Sequence, residues 1–128
     1  VTVSKTEVEL IGRRVLVVED EFFIADDLAE ALRGAGAEVI GPVPTRERAL
    51  DMVAGTGMID FAVLDINLGG EAGYAVAEAL SERGVPFVIA TGYARGALPP
   101  RFRDVPHWEK PLDADVLVSV LSSLVART

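Results

Sequence analysis

Apolar residues along this chain come in short, regularly spaced runs, and each run stops at a polar residue. Val15-Leu16-Val17-Val18 ends at Glu19-Asp20-Glu21, Phe61-Ala62-Val63-Leu64 at Asp65, and Phe87-Val88-Ile89-Ala90 at Thr91. Uninterrupted, β-branched-rich runs of this length predict strands buried on both faces, as in a parallel sheet covered by helices. Val39-Ile40, followed by Gly41 and Pro42, suits an edge strand, because proline cannot donate to a central ladder. His107-Trp108-Glu109 is the least apolar candidate and is expected at the opposite edge.

Between the runs the period lengthens to that of a helix. Ile24, Leu28, Ala31, Leu32 and Ala35 share one helical face, with Gly34 and Gly36 near its end. Leu50, Val53 and Ala54 predict a shorter helix capped by Thr45, with Gly55 just beyond it. Val76, Ala79, Leu80 and Arg83 give a third helix closed by Gly84, and Leu117, Val120, Leu121 and Leu124 a last one after Asp113. From Ala94 to Pro106, prolines at 99, 100 and 106 leave room for a short helix at most, starting at Pro99 or Pro100, and a mobile segment is expected there. Strand and helix alternate, so the class is α/β with right-handed crossovers. Residues 1–13 read as an N-terminal extension and 14–128 as one domain.

Composition narrows the partners. The 128 residues are half hydrophobic and one quarter charged, the balance of a globular domain with a single sizeable core. A formal net charge of −8 argues against nucleic acid as a partner, because phosphates would be repelled. There is no cysteine, which removes disulfide scaffolds, thiolate metal sites and cysteine nucleophiles. No apolar run is long enough to cross a bilayer and Val1–Gly12 holds no signal-peptide core, so the expected location is cytoplasmic, away from membranes.

Candidate chemistry follows from the strand ends. Ligands of an open α/β sheet bind beyond the carboxyl ends of its strands. Here that rim receives Glu19 and Asp20, Asp65, Thr91 and Lys110 from four different strands. Converging carboxylates repel unless a cation intervenes, and a hard divalent ion with oxygen ligands, Mg2+ keeping several waters, answers that need. An ionised carboxylate can accept a phosphoryl group once charge on the phosphoryl oxygens is neutralised. Mg2+ would take one oxygen, the Lys110 ammonium another, and the Thr91 hydroxyl a third, with Gly92 leaving space.

The series Val-Leu-Val-Val-Glu19-Asp20-Glu21, Val-Leu-Asp65-Ile-Asn67-Leu, Ala-Thr91-Gly92 and Lys110-Pro111 resembles the receiver domain of two-component response regulators from about Arg14 to Val125. The resemblance implies a flavodoxin-like (CheY-like) fold, five parallel strands in the order 2-1-3-4-5 with helices on both faces. It implies Asp65 as phosphoacceptor, and Mg2+ held by Asp20, Asp65 and the backbone carbonyl of Asn67, with Glu19 behind them or acting through water. It also implies a histidine kinase or phosphotransfer protein as donor, with Thr91 and Lys110 sensing the phosphoryl group. Phe87-Val-Ile-Ala-Thr91-Gly92-Tyr93 is further similar to alphaproteobacterial receivers named for a Phe-Ala-Thr-Gly-x-Tyr motif, many stand-alone and others attached to HWE-type kinases. Three departures stand out. His107, followed by Trp108, occupies the usual switch-aromatic position, which makes Tyr93 the candidate substitute. Gly69 replaces a common proline, predicting a looser loop after Asp65. The prolines after Tyr93 put the fourth helix in doubt.

Taken singly, these residues have plainer readings. Glu19, Asp20 and Glu21 can cap the first helix, Thr91 is an ordinary strand-end hydroxyl, and Lys110 before proline is a solvated charge. His107, the only histidine, reads first as a strand residue, and Asp60 as an exposed turn residue. The capping reading needs one acid of three and does not account for Asp65. Among other functions, an aspartyl-phosphate phosphatase needs a second aspartate two residues after the nucleophile, where this chain has Asn67. A nucleotide or flavin binder needs glycines or hydroxyls after the first strand, where this chain has acids. A receiver-like module working without phosphorylation would not need the acceptor, acidic pair, threonine and lysine together. The expectation is therefore a phosphoacceptor that turns over no external substrate beyond self-phosphorylation and autodephosphorylation. Its output is protein–protein, as a stand-alone regulator or the receiver of a hybrid kinase, with a homodimer left open.

Overall fold

The apolar runs form strands because their β-branched residues pack on both faces of a sheet. In the computed structural model, which describes residues 10–68, 71–91, 100–102 and 105–109 together with 116, 118, 119 and 121, β1 is Arg14–Val18, α1 Phe22–Gly34, β2 Glu38–Val43 and α2 Arg46–Gly55. There follow β3 Phe61–Asp65, two short strands β4 Asn67–Leu68 and β5 Glu71–Ala72, α3 Tyr74–Glu82, β6 Phe87–Thr91, a 3-10 turn at Pro100–Phe102, and β7 His107–Glu109. Five strands make one sheet in the order β2-β1-β3-β6-β7, with every neighbouring pair parallel. Setting aside β4 and β5, which pair only with each other, this is the expected 2-1-3-4-5 order, with the two expected edge strands at the edges.

Strand alternation divides the core into two layers. Val15, Val17, Phe61, Val63, Val88 and Ala90 face Leu28 and Leu32 of α1, and Val118 and Leu121 join that layer. Leu16, Val18, Ala62, Leu64, Phe87 and Ile89 face Ala49 and Val53 of α2 and Val76, Ala77 and Leu80 of α3. Both faces of the central strands are thus covered, which explains why their sequences lack polar alternation.

Several details depart from the periodic reading. Ala25 and Ala29 are buried in α1, where Ile24 and Ala31 are half-buried. In α2 the buried pair is Ala49 and Val53, Ala54 is exposed, and Gly55 lies within the helix. Thr45 does cap α2, its hydroxyl accepting from the Arg48 N–H at 3.2 Å. Asp60, expected as an exposed turn residue, is partly buried: its Oδ2 accepts from the Arg14 N–H at 2.8 Å and fastens the start of β1 to that of β3. Leu10, inside the N-terminal extension, is fully buried in the α1-side core. The following turn closes with the Gly12 N–H on the Gly36 carbonyl at 3.0 Å. Ile11 lies so close to Gly36 (φ +95°) that a side chain there would collide with it.

Of the proline-rich interval, residues 100–102 and 105–106 are described, and the 3-10 turn starts at Pro100, one of the expected positions. Phe102 anchors it, buried and stacked 5.8 Å from the Tyr74 ring. Residues 94–99, Gly69, Asp113, Leu117, Val120 and Leu124 lie outside the described residues. Among the described residues, no helix is long and apolar enough to cross a membrane.

Candidate active site

β1 and β3 run side by side with Val18 opposite Leu64, so the next residue of each strand reaches the same rim. Those residues are Glu19 and Asp65, each 2% exposed, and Asp20 follows on the solvent side. Carboxylate oxygens of Glu19, Asp20 and Asp65 lie within 4.8 Å of one another. Acidic side chains are rarely buried without a compensating partner, and two here are buried together beside a third.

The backbone explains why the acids turn inward. The Glu19 N–H donates to the Val43 carbonyl at 3.1 Å, which carries the strand geometry one residue past β1. The Glu21 N–H donates to Glu19 Oε2 at 3.2 Å, and Asp65 Oδ1 accepts from the Asn67 N–H at 3.0 Å. α1 begins after Glu21, whose own side chain makes no cap hydrogen bond.

All donors in the group are carboxylate oxygens, the ligand type of hard divalent cations. A second carboxylate group, Asp26, Asp27 and Glu30 on α1, is exposed and reads as a solvated helix face. Beside the buried acids a cavity of about 270 Å³ opens between α1 and the end of β2. Glu19, Asp20 and Asp26 line it together with Phe22, Ala25, Pro42 and Pro44.

β6 brings Thr91 to the same rim: Ala90 pairs with Asp65, and Thr91 lies one step further along. β7 runs alongside with Trp108 opposite Ala90 and Glu109 opposite Thr91. For Thr91, His107 and Trp108 the description is of the backbone, while Gly92, Tyr93 and Lys110 lie outside the described residues. The structure therefore gathers Glu19, Asp20 and Asp65 as expected and sets Thr91 on the adjacent strand end.

Gly73 was not singled out from the sequence. Its backbone passes so close to Asp65 that a Cβ there would lie 3.0 Å from the Asp65 carbonyl oxygen. The available signal was a glycine just before a helix and eight residues after the acceptor, which by itself reads only as a helix start.

Residues 15–121 match the family model of the response regulator receiver domain. The chain belongs to this family. PdtaR of Mycobacterium tuberculosis, a transcriptional regulatory protein, is 31% identical over 121 residues. The alignment covers 91% of this chain and 58% of PdtaR, so the receiver domain spans little more than half the length of that relative. SdrG from Sphingomonas melonis Fr1 is 41% identical with a TM-score of 0.74, over 88% of this chain and 97% of SdrG. PhyR from Brucella abortus has the same fold at 23% identity and a TM-score of 0.79, over 94% of this chain and 51% of PhyR. As a receiver domain, the chain has its acidic group where the family's sheet gathers strand ends, and its role lies in two-component signalling.

Proposed function

We propose that this receiver domain accepts a phosphoryl group on Asp65 from a phosphohistidine of a histidine kinase or phosphotransfer protein. The observation that carries this reading is the convergence of the Glu19, Asp20 and Asp65 carboxylates, two of them buried. In the reaction an Asp65 carboxylate oxygen attacks phosphorus, the P–N bond to imidazole breaks, and the imidazole nitrogen takes up a proton. The Asn67 N–H on Oδ1 orients the carboxylate for that attack. Asp20, Asp65 and the Asn67 carbonyl would hold Mg2+, with Glu19 behind them or acting through a water. Bound there, the ion supplies positive charge to the phosphoryl oxygens. Thr91 and Lys110 would contact the remaining oxygens and report the phosphoryl group, with Tyr93, His107 and Trp108 as the candidate switch. The output is a change in protein–protein contacts.

Incubation with a small phosphodonor and Mg2+, followed by intact mass, tests the assignment. The wild type should gain one phosphoryl mass, and Asp65→Asn should gain none. No adduct on the wild type, or an undiminished adduct on Asp65→Asn, would sink it.

A further inference from the structure

After Asp65 the chain makes a tight excursion and returns. Asn67 and Leu68 pair antiparallel with Ala72 and Glu71, across a connection of only two residues. Leu68, 4% exposed, fastens the outgoing arm into the core. At Gly73 the chain comes back against its own starting point, the Gly73 N–H donating to the Ile66 carbonyl at 2.6 Å. The Gly73 carbonyl in turn accepts from the Val76 and Ala77 N–H groups and opens α3, whose Val76, Ala77 and Leu80 are fully buried.

The space at this crossing is full. A Cβ on Gly73 would lie 3.0 Å from the Asp65 carbonyl oxygen and 3.4 Å from both Cα and O of Ile66. Those are backbone atoms, and neither side yields easily. Asp65 ends a central strand paired with β6, and Ile66 is buried. Gly73 itself has φ −87° and ψ 18°, a backbone open to ordinary residues, so glycine is needed here for space and not for conformation.

We propose that Gly73 is a positioning residue for the phosphoacceptor, seating the β4–β5 hairpin against the Asp65–Ile66 backbone and so holding the Asn67 N–H on the Asp65 carboxylate. This deepens the Asp65 reading above and rests on it for its consequence in phosphoryl transfer. A methyl group at Gly73 must push the hairpin away from β3 or twist Asp65, and either movement parts Asn67 N from Asp65 Oδ1. A misplacement of about 1 Å at a reacting group costs roughly 100-fold in rate, so a shift of a few tenths of an ångström should slow attack by a smaller, measurable factor.

The test compares wild type, Gly73→Ala and Gly34→Ala, the last at a helical glycine with nothing within 4 Å of an added Cβ. Two quantities are read: the phosphorylation rate constant with a small phosphodonor at saturating Mg2+, and the Asn67 amide proton resonance and its solvent exchange without phosphodonor. In Gly73→Ala the rate should fall about tenfold, and the Asn67 amide should move upfield and exchange faster while amides of β1 and β6 stay in place. Gly34→Ala should match the wild type in both. An Asn67 amide unchanged in Gly73→Ala, whatever the rate, overturns the inference, as does an unchanged rate. Should Gly73→Ala fail to fold, Leu68→Ala loosens the same hairpin from its other arm. It must then give the same amide change, and an unchanged amide there also overturns the inference. The amide readout needs no phosphodonor, so it judges Gly73 even where the wild type takes no label, an outcome that counts against the Asp65 reading alone.

Discussion

Arg83 shows how much a single surface side chain can organise. Its guanidinium donates to the carbonyls of Val53, Thr56 and Gly57, with the Thr56 bond at 2.7 Å. These carbonyls belong to the end of α2 and the loop leading to β3, and a planar fork of donors suits three acceptors better than an ammonium would. The periodic reading counted Arg83 in the helical repeat with Val76, Ala79 and Leu80, and it sits at the C-cap of α3. The side chain is exposed and spent on neighbouring backbone. Arg83→Ala should lower stability by about 1 kcal/mol, since hydrogen bonds to charged groups exceed neutral ones but exposure discounts them. Chemical denaturation would show this as a lower midpoint at unchanged slope, and Arg83→Lys should recover only part of the loss. Asp60 is a parallel case, a residue whose role is fixed by the Arg14 N–H that happens to face it.

At the level of elements, α2 is the helix most dependent on its ends. It buries only Ala49 and Val53, so packing contributes less to it than to α1, which buries four residues. Thr45 satisfies an otherwise open N–H, and Glu47 in the first turn complements the helix dipole. Thr45→Ala should therefore cost about 1 kcal/mol, seen as faster amide exchange in the first turn of α2 than in α1. Equal exchange in both helices would contradict the cap's importance. The loop after Asp65 was expected to be loose because Gly69 replaces a proline. Gly69 lies outside the described residues, but the residues on either side pair as a hairpin and Leu68 is buried.

Across the whole molecule, the sheet holds three carboxylates together at the expense of their mutual repulsion. A cation that binds only the folded chain should offset this, contributing about 2.7 kcal/mol at a hundred times its dissociation constant. We expect thermal unfolding in millimolar Mg2+ to occur above that in EDTA. Asp20→Asn should melt higher than wild type in EDTA and respond less to Mg2+, because one like charge and one ligand are removed together. Identical melting of the wild type with and without Mg2+ would argue against a cation at this rim. Leu10 also belongs to this scale, since the core on the α1 side extends beyond the first residue matched to the family.

The five strands of the main sheet and α1, α2 and α3 were legible in the sequence, the central strands because burial on both faces leaves an unbroken apolar signature, whereas the short β4–β5 hairpin was not. The acids at the ends of two such runs marked the rim for the same reason: polarity returns where the sheet stops. Side-chain partners of Asp60 and Arg83 were not legible, because their meaning depends on backbone groups 26 to 46 positions away. Nor was Gly73, whose constraint is an interatomic gap and not a conformational preference. Local pattern determined which segments extend or coil and which residues stand at their ends. Only tertiary packing decided that Glu19 and Asp65 are buried side by side and that the chain folds back onto the acceptor, because both are distances between segments.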